Sequence, residues 1–453
     1  MPTNRPLAAR LLSMAAARGP AFRRRKPPAG RLLPAAAAAV ATLAAAAAVA
    51  LVAAPAAAQV FRRGQHAWSP PTFVPPPERD GGAANGAAAA AALPTTPLAI
   101  FIQAAGSNVG HLPRLLSRVH DAGNVYAIHV DAKVPADTYE PIAAAIRANP
   151  AYTNVHLMPR SALTYLGISL VLNTLSAARH FLMDTGVPWT YFINISASDY
   201  PLVSADTMRT AFGGPDLQAH RLSFVQNFLG DQHLANIRKF RLNKLTFDPA
   251  LAAPPDSTAD TRLAQTGLDN PLGRPSTFGL RYAAAEAWMA LHRDFVVEAV
   301  TGDLGRQLLA LLAPSLVPEE HYFAMLAANH PDLSARTAPD GMRGVVWEAN
   351  GRRAAARPFY VDEVNATTGE MHLAPRVLSM STLFVRKMRD ADNPLMDRID
   401  AESAGFAGAP ADHAAAVATK RARVHARVAC HVAWHVEGRA VPHDPRRRPC
   451  AWV

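Results

Sequence analysis

The chain becomes regular at Pro97, where short apolar runs begin to alternate with stretches whose apolar residues recur at helical spacing. LAIFIQ (98–103) is the first apolar run, LPRLLSRVH (112–120) carries a helical stripe, and NVYAIHVD (124–131) is a second run that ends in an acid. TYEPIAAAIRA (138–148) and GISLVLNTLSAARHFLM (167–183) predict helices, while NVHLM (154–158) and WTYFINIS (189–196) predict strands. Strand and helix in turn are the mark of an α/β domain, a mostly parallel sheet covered by helices. Ligands of such sheets lie beyond the carboxyl ends of the strands, which directs attention to Gln103, Asp131 and the stretch from Ser196 to Asp199. No G-x-G-x-x-G follows the first strand and no P-loop occurs, so neither a dinucleotide fingerprint nor a Walker motif is present. Residues 250–277 are rich in Pro, Ala and Asp and predict a long loop. Beyond Asp400 the apolar period fades, and residues 401–453 are expected to form a peripheral tail.

Ahead of Pro97 the pattern differs. Residues 1–33 are basic, and an alanine-rich stretch at 34–56 holds about 20 uncharged residues, the length that spans a bilayer core. Residues 57–96 are rich in Pro, Gly and Ala without amphipathic period and read as a flexible stem. Arginines on the N-terminal side predict a cytosolic start, a signal-anchor helix and a body on the far side of the membrane. A cleaved signal peptide, an organelle transit peptide and plain alanine expansion are the other readings of this region.

Charge narrows the function classes. The formal net charge is +11, but ten of the Arg and Lys side chains precede Glu78, the first acidic residue, which leaves the body near neutral. Basicity therefore belongs to targeting and not to a nucleic-acid footprint. The only cysteines, Cys430 and Cys450, lie in the tail and are free to form one disulfide, so the core does not depend on bridges. Asn365-Ala366-Thr367 spells a glycosylation acceptor; Asn194-Ile195-Ser196 has the same spelling inside an apolar run expected to be buried.

Three constellations can carry chemistry. HVDAK delivers Asp131 at a strand end, where an acid can accept hydrogen bonds from a ribose or simply start a turn. SASDYP joins Ser196, Ser198 and Asp199 before a proline, and an Asx-turn explains it equally well. VPEEHYFAMLA places Glu319 and Glu320 in a first helical turn, where the macrodipole favours carboxylates without catalytic duty, although one aimed into a cleft would serve as a general base.

Taken together and in order, LPRLLSRVHDAGNVYAIHVD, WTYFINISASDYPLV, FDPAL, AWMALHRDFV, PEEHYF, VVWEANG and LFVRKM resemble family fourteen of the glycosyltransferases. This family comprises the core-2/I-branching N-acetylglucosaminyltransferases with the xylosyltransferases and a plant β-glucuronosyltransferase branch. The plant branch is especially similar at YFINISASDYPLV and FVRKM. The similarity runs over residues 97–400, which are expected to form the catalytic domain.

The resemblance implies a GT-A-like, Rossmann-like fold and an inverting transfer from a UDP-sugar to a glycan hydroxyl, giving a β-linked product. It assigns the base to Glu320, with Glu319 the less favoured neighbour. It implies that Lys387 and Arg357 neutralise the departing UDP in place of a metal, so neither a metal nor any other cofactor is expected. By the same similarity Asp131 contacts the nucleotide, Tyr165 in LTYLG lines the donor pocket, Asp199 organises that pocket, Trp347 stacks on the acceptor, and Arg241 is a basic residue of the substrate cleft. The expected setting is a single-pass type II protein of the Golgi membrane that adds glucuronic acid to galactan chains of arabinogalactan-type proteoglycans. Transfer of N-acetylglucosamine or xylose, or a catalytically silent glycan-binding role, are the alternatives. Two departures bear on acceptor identity: Ala285-Glu286-Ala287-Trp288 stands where the family reads G-S-A-W, and LGDQHLANIRKF replaces a W-K-E pattern of plant relatives.

Overall fold

The computed structural model describes residues 94–227, 235, 240–254, 257–258, 262–349, 352–353, 358–364, 369–406, 413–438 and 450. The basic leader, the expected anchor, the stem up to residue 93, Arg357 and Asn365 lie outside the described residues. Among the described residues no helix is long and apolar enough to cross a membrane.

In chain order the first strands are β1 (Leu98–Ala104), β2 (Val125–Val130), β3 (Val155–Leu157), β4 (Tyr191–Ser196), β5 (Asp199–Pro201), β6 (Ser223–Asn227), β7 (Lys244–Phe247) and β8 (Ala264–Asp269). They are followed by β9 (Ala285–His292), β10 (Thr337–Ala338), β11 (Arg343–Val345), β12 (Glu348–Ala349), β13 (Arg352–Arg353) and β14 (Phe384–Arg386). The main sheet runs β10-β6-β9-β4-β1-β2-β3. Strands β1 to β4 are parallel, and β9 is the reversed strand, antiparallel to both β4 and β6.

Every residue of β2 and β4 is buried, which is why these strands read as continuous apolar runs: helices cover both faces. The two-residue period sorts their side chains. Leu98, Ile100, Tyr126, Ile128, Tyr191 and Ile193 enter one core, whereas Ala99, Phe101, Val125, Ala127 and Phe192 enter the other. Asn194 is the polar exception in β4. Its side chain donates to Ala287 O at 2.7 Å and accepts from Met289 N at 2.9 Å, stitching β4 to β9 and burying the second glycosylation spelling.

A second, three-stranded sheet, β11-β14-β5, sits past the carboxyl end of β4. Its register puts Arg386 opposite Asp199 and beside Val345. Each strand has three residues, so side chains must fix that register.

The expectation of a peripheral tail does not hold for its helix, Ala414–Val436. Val424, Val428 and Val432, one helical turn apart, belong to the first core. Asp340, in the segment between β10 and β11, accepts from Arg427 Nε at 2.8 Å, from His431 Nε2 at 2.8 Å and from the Met342 amide at 2.7 Å. Burial opposes ionisation of Asp340, but Arg427 and His431 override it and hold the carboxyl well below the usual carboxylate range. Cys430 on the same helix is disulfide-bonded to buried Cys450, with a Cα separation of 5.8 Å. Asp340→Ala strands the Arg427 charge and is expected to lower the unfolding free energy of the full chain by about 3 kcal/mol in denaturant titration. A loss below about 1 kcal/mol would mean that the apolar stripe alone holds the helix.

Candidate active site

At the carboxyl end of β4 the chain turns through Ser196, Ala197 and Ser198. Asn108, from the loop after β1, donates to Ser196 Oγ at 3.2 Å and to Ser198 Oγ at 2.8 Å, so both hydroxyls serve the turn. The Asp199 side chain is fully buried. It accepts the Ser196 amide at 2.9 Å, Arg386 Nη1 at 3.0 Å and Arg343 Nη1. Arg343 also donates to Asn194 O at 2.9 Å. Trp288 of β9 lies against both guanidiniums, at 5.0 Å from Arg343 and 4.3 Å from Arg386. With its oxygens so engaged, Asp199 presents no surface to a ligand. It organises the site through the two arginines.

Glu320 closes the short turn Pro318–Glu320 that leads into the helix Tyr322–Asn329. Its Oε2 lies 2.5 Å from Arg241 Nη1, so the structure brings together two residues singled out in the sequence. The turn is entered through Val317 in the left-handed region, φ 59°, a costly conformation for a β-branched residue. The Val317 amide bonds to Leu166 O at 3.0 Å, and Leu166 is itself left-handed, φ 67°. Next to Leu166, Tyr165 is 75% exposed, and Glu319, Glu320 and Arg386 all act electrostatically on its hydroxyl. Burial pushes the Glu319 carboxyl up to about 8, with Glu320 and Asp248 adding to the shift against the pull of Arg241; its Oε2 is buried without a partner. His321 is wholly buried and pushed down to about 3, first by desolvation and then by Arg241, so its ring is neutral.

Trp347 lies two residues beyond β11, 38% exposed, and its Nε1 donates to Glu286 Oε1 at 3.2 Å. Burial raises the Glu286 carboxyl. The Trp347 donor, Arg343 and Arg386 pull it down, and Glu320 adds to the rise. Lys387 follows Arg386 at the end of β14, with its Nζ 5.4 Å from the Tyr360 ring centre; Arg389 lies over the same ring at 4.7 Å. Asp131 accepts its own turn amide, Lys133 N, at 2.9 Å, and Lys133 Nζ sits 3.3 Å from its other oxygen. Lys133 also donates to Leu163 O, tying this turn to the segment that carries Tyr165.

Glu320, Arg241, Tyr165, Glu286 and Trp347 thus share one electrostatic neighbourhood, with Arg343 and Arg386 behind it. Sequence reasoning missed Arg343, Arg386 and Trp288 as a unit, and it noted Glu286 only as a departure. The available signal was an arginine in each of two apolar runs, MRGVV and LFVRKM, a charge that a strand end buries only with a partner. Asp390-Ala391-Asp392, a D-x-D sequence, sits at the surface, where Asp392 pairs with Arg114.

Asp199→Ala leaves two guanidiniums facing each other and is expected to cost about 3–5 kcal/mol of stability by denaturant titration. Glu319 yields a pH test. Its folded value of about 8 exceeds the ordinary 4.5, so the folded chain keeps a proton that the unfolded chain loses between those values. Stability therefore falls as pH rises through that window. Glu319→Gln is expected to flatten the fall in melting temperature between about pH 5 and pH 8; parallel wild-type and variant curves would contradict it.

Residues 100–370 match the family model of the core-2/I-branching enzymes. Beta-glucuronosyltransferase GlcAT14A of Arabidopsis thaliana is 27% identical over 320 residues, 68% of this chain and 65% of that protein. The human beta-1,3-galactosyl-O-glycosyl-glycoprotein beta-1,6-N-acetylglucosaminyltransferase 3 is 25% identical over 252 residues, 53% of this chain and 52% of that protein. The match thus spans less than two thirds of the length of these curated relatives. Among solved structures, the WbbM bifunctional glycosyltransferase in its apo form covers 70% of this chain and 53% of its own at 13% identity and a TM-score of 0.30. Matched by the family model over more than half of its length, this chain belongs to the core-2/I-branching enzyme family.

Proposed function

We propose that this protein is an inverting glycosyltransferase that moves a sugar from a UDP-sugar to a glycan hydroxyl. The observation that carries the reading is Glu320: a half-buried carboxylate in a strained turn, paired with Arg241 and sharing its surroundings with an exposed tryptophan. Glu320 takes the proton of the acceptor hydroxyl as that oxygen attacks the anomeric carbon. The new oxygen–carbon bond forms on the face opposite the departing UDP, which leaves with the bonding electron pair, so an α-linked donor yields a β-linked product. Arg241 pairs with the Glu320 carboxylate and fixes its direction. Lys387 and Arg357 are assigned to the negative charge that grows on the leaving UDP, in place of a divalent metal. Asp131 and Tyr165 are assigned to the nucleotide and donor pocket, and Trp347 to the apolar face of the acceptor sugar.

The names of the plant relatives, beta-glucuronosyltransferases, support glucuronic acid as the donor sugar; galactan chains of arabinogalactan-type proteoglycans are the acceptor taken with this reading. A neutral donor, N-acetylglucosamine or xylose, is the second reading. It is favoured by the acidic side chains of Glu320 and Glu286, which offer a glucuronate no cationic partner. The setting that goes with either is a Golgi membrane, with residues 34–56 as anchor, the catalytic domain in the lumen and Asn365 glycosylated.

The full-length protein is expected to transfer from one UDP-sugar to a galactan oligosaccharide in EDTA. Glu320→Gln is expected to lower kcat roughly 10²- to 10⁴-fold with little change in UDP binding. Strict metal dependence would remove Lys387 and Arg357 from the mechanism, and unchanged turnover in Glu320→Gln would move the base elsewhere. No turnover with any UDP-sugar would leave a glycan-binding protein.

A further inference from the structure

Glu286 stands where a small residue would leave the cleft neutral. It occupies β9 two positions before Trp288, so the strand's period sends both side chains to one face. Trp288 spends that direction on Arg343 and Arg386. Glu286 turns one oxygen to Trp347 and lies within the field of Glu320. The indole of Trp347 is therefore held by its N–H edge, with part of its surface open, and an acidic group is fixed at that edge, where the Trp347 donor, Arg343 and Arg386 favour its charged form against burial.

We infer that Glu286 is a specificity-determining residue of the acceptor subsite, selecting a neutral, hydroxyl-bearing sugar on Trp347 and rejecting one that carries a carboxylate or sulfate there. This inference rests on the assignment of Trp347 to the acceptor in the proposed function. A neutral sugar lays its apolar face on the indole and directs hydroxyl donors to the Glu286 carboxylate, which accepts them as charge-assisted hydrogen bonds. An anionic sugar at the same place meets both Glu286 and Glu320, while Arg343 and Arg386 are engaged by Asp199 and Arg241 by Glu320. The product of a transfer that adds a uronic acid next to this subsite would be discharged by the same repulsion.

The test is direct binding, without donor, of two probes to the full-length protein: a β-linked galactotriose and the same trisaccharide bearing a terminal glucuronate. Wild type is expected to prefer the neutral probe roughly tenfold. Glu286→Gln keeps an oxygen for Trp347 Nε1 and drops the charge, so the preference ratio is expected to fall towards one. Glu286→Ala is expected to lose the preference and also to weaken both probes, because the indole is no longer held. An unchanged ratio in Glu286→Gln overturns the inference, whatever happens to melting temperature, and leaves Glu286 as a charge balance for the arginines. Binding of neither probe by wild type overturns it through the acceptor assignment itself, and UDP-sugar hydrolysis then tells whether the transferase reading survives.

Discussion

One buried carboxylate holds the functional end of this protein together. Asp199 pairs with Arg343 from β11 and Arg386 from β14, and it caps the turn at the end of β4 through the Ser196 amide. Bringing three charges out of water is expensive, and such pairs add little net stability against an apolar replacement. Their geometry is what matters here. Three-residue strands carry too few ladder bonds to choose a register, whereas a carboxylate gripped from two sides and arginines backed by Trp288 admit only one. Lys387 is the residue after Arg386, and Trp347 lies two residues past Val345 of β11. The clamp therefore sets where the cation assigned to the leaving group and the aromatic platform assigned to the acceptor both stand.

Glu320 is held by separate means. Its turn enters through Val317 in the left-handed region, tied to Leu166, whose exposed neighbour Tyr165 feels the charges of Glu319 and Glu320. Arg241 reaches the carboxylate and, through its own carbonyl, takes the amide of Leu316. A strained backbone persists where its surroundings over-determine it, and this one presents a carboxylate that stays about a third exposed.

Most of this fold was legible because it is built from local periods. The apolar runs at β1, β2 and β4 announced strands buried on both faces, and the order of motifs announced the family. The tail helix was legible in part, since Val424, Val428 and Val432 have helical spacing, but alanines and arginines between them blur so narrow a stripe. Of the site, Glu320 and Arg241 came from resemblance and are indeed together. Asp199 was read as an organiser of the donor pocket, but the arginines through which it acts are 144 and 187 residues away in sequence and nothing local points to them. The Glu286–Trp347 bond, across 61 residues, was invisible for the same reason.

The paired carboxylates at the catalytic turn show how environment divides duties that sequence leaves equal. Glu319 and Glu320 are chemically identical neighbours, and either spelling satisfies a base motif. Burial without a partner keeps Glu319 protonated at neutral pH, where it has no lone pair free in the form a base requires. Glu320 faces a guanidinium at 2.5 Å and remains about a third exposed, open to an incoming hydroxyl. Glu320 in turn adds to the rise of its buried neighbour, since two adjacent carboxylates ionised together would repel. A neutral Glu319 thus leaves Glu320 as the one of the pair suited to the base role proposed for it.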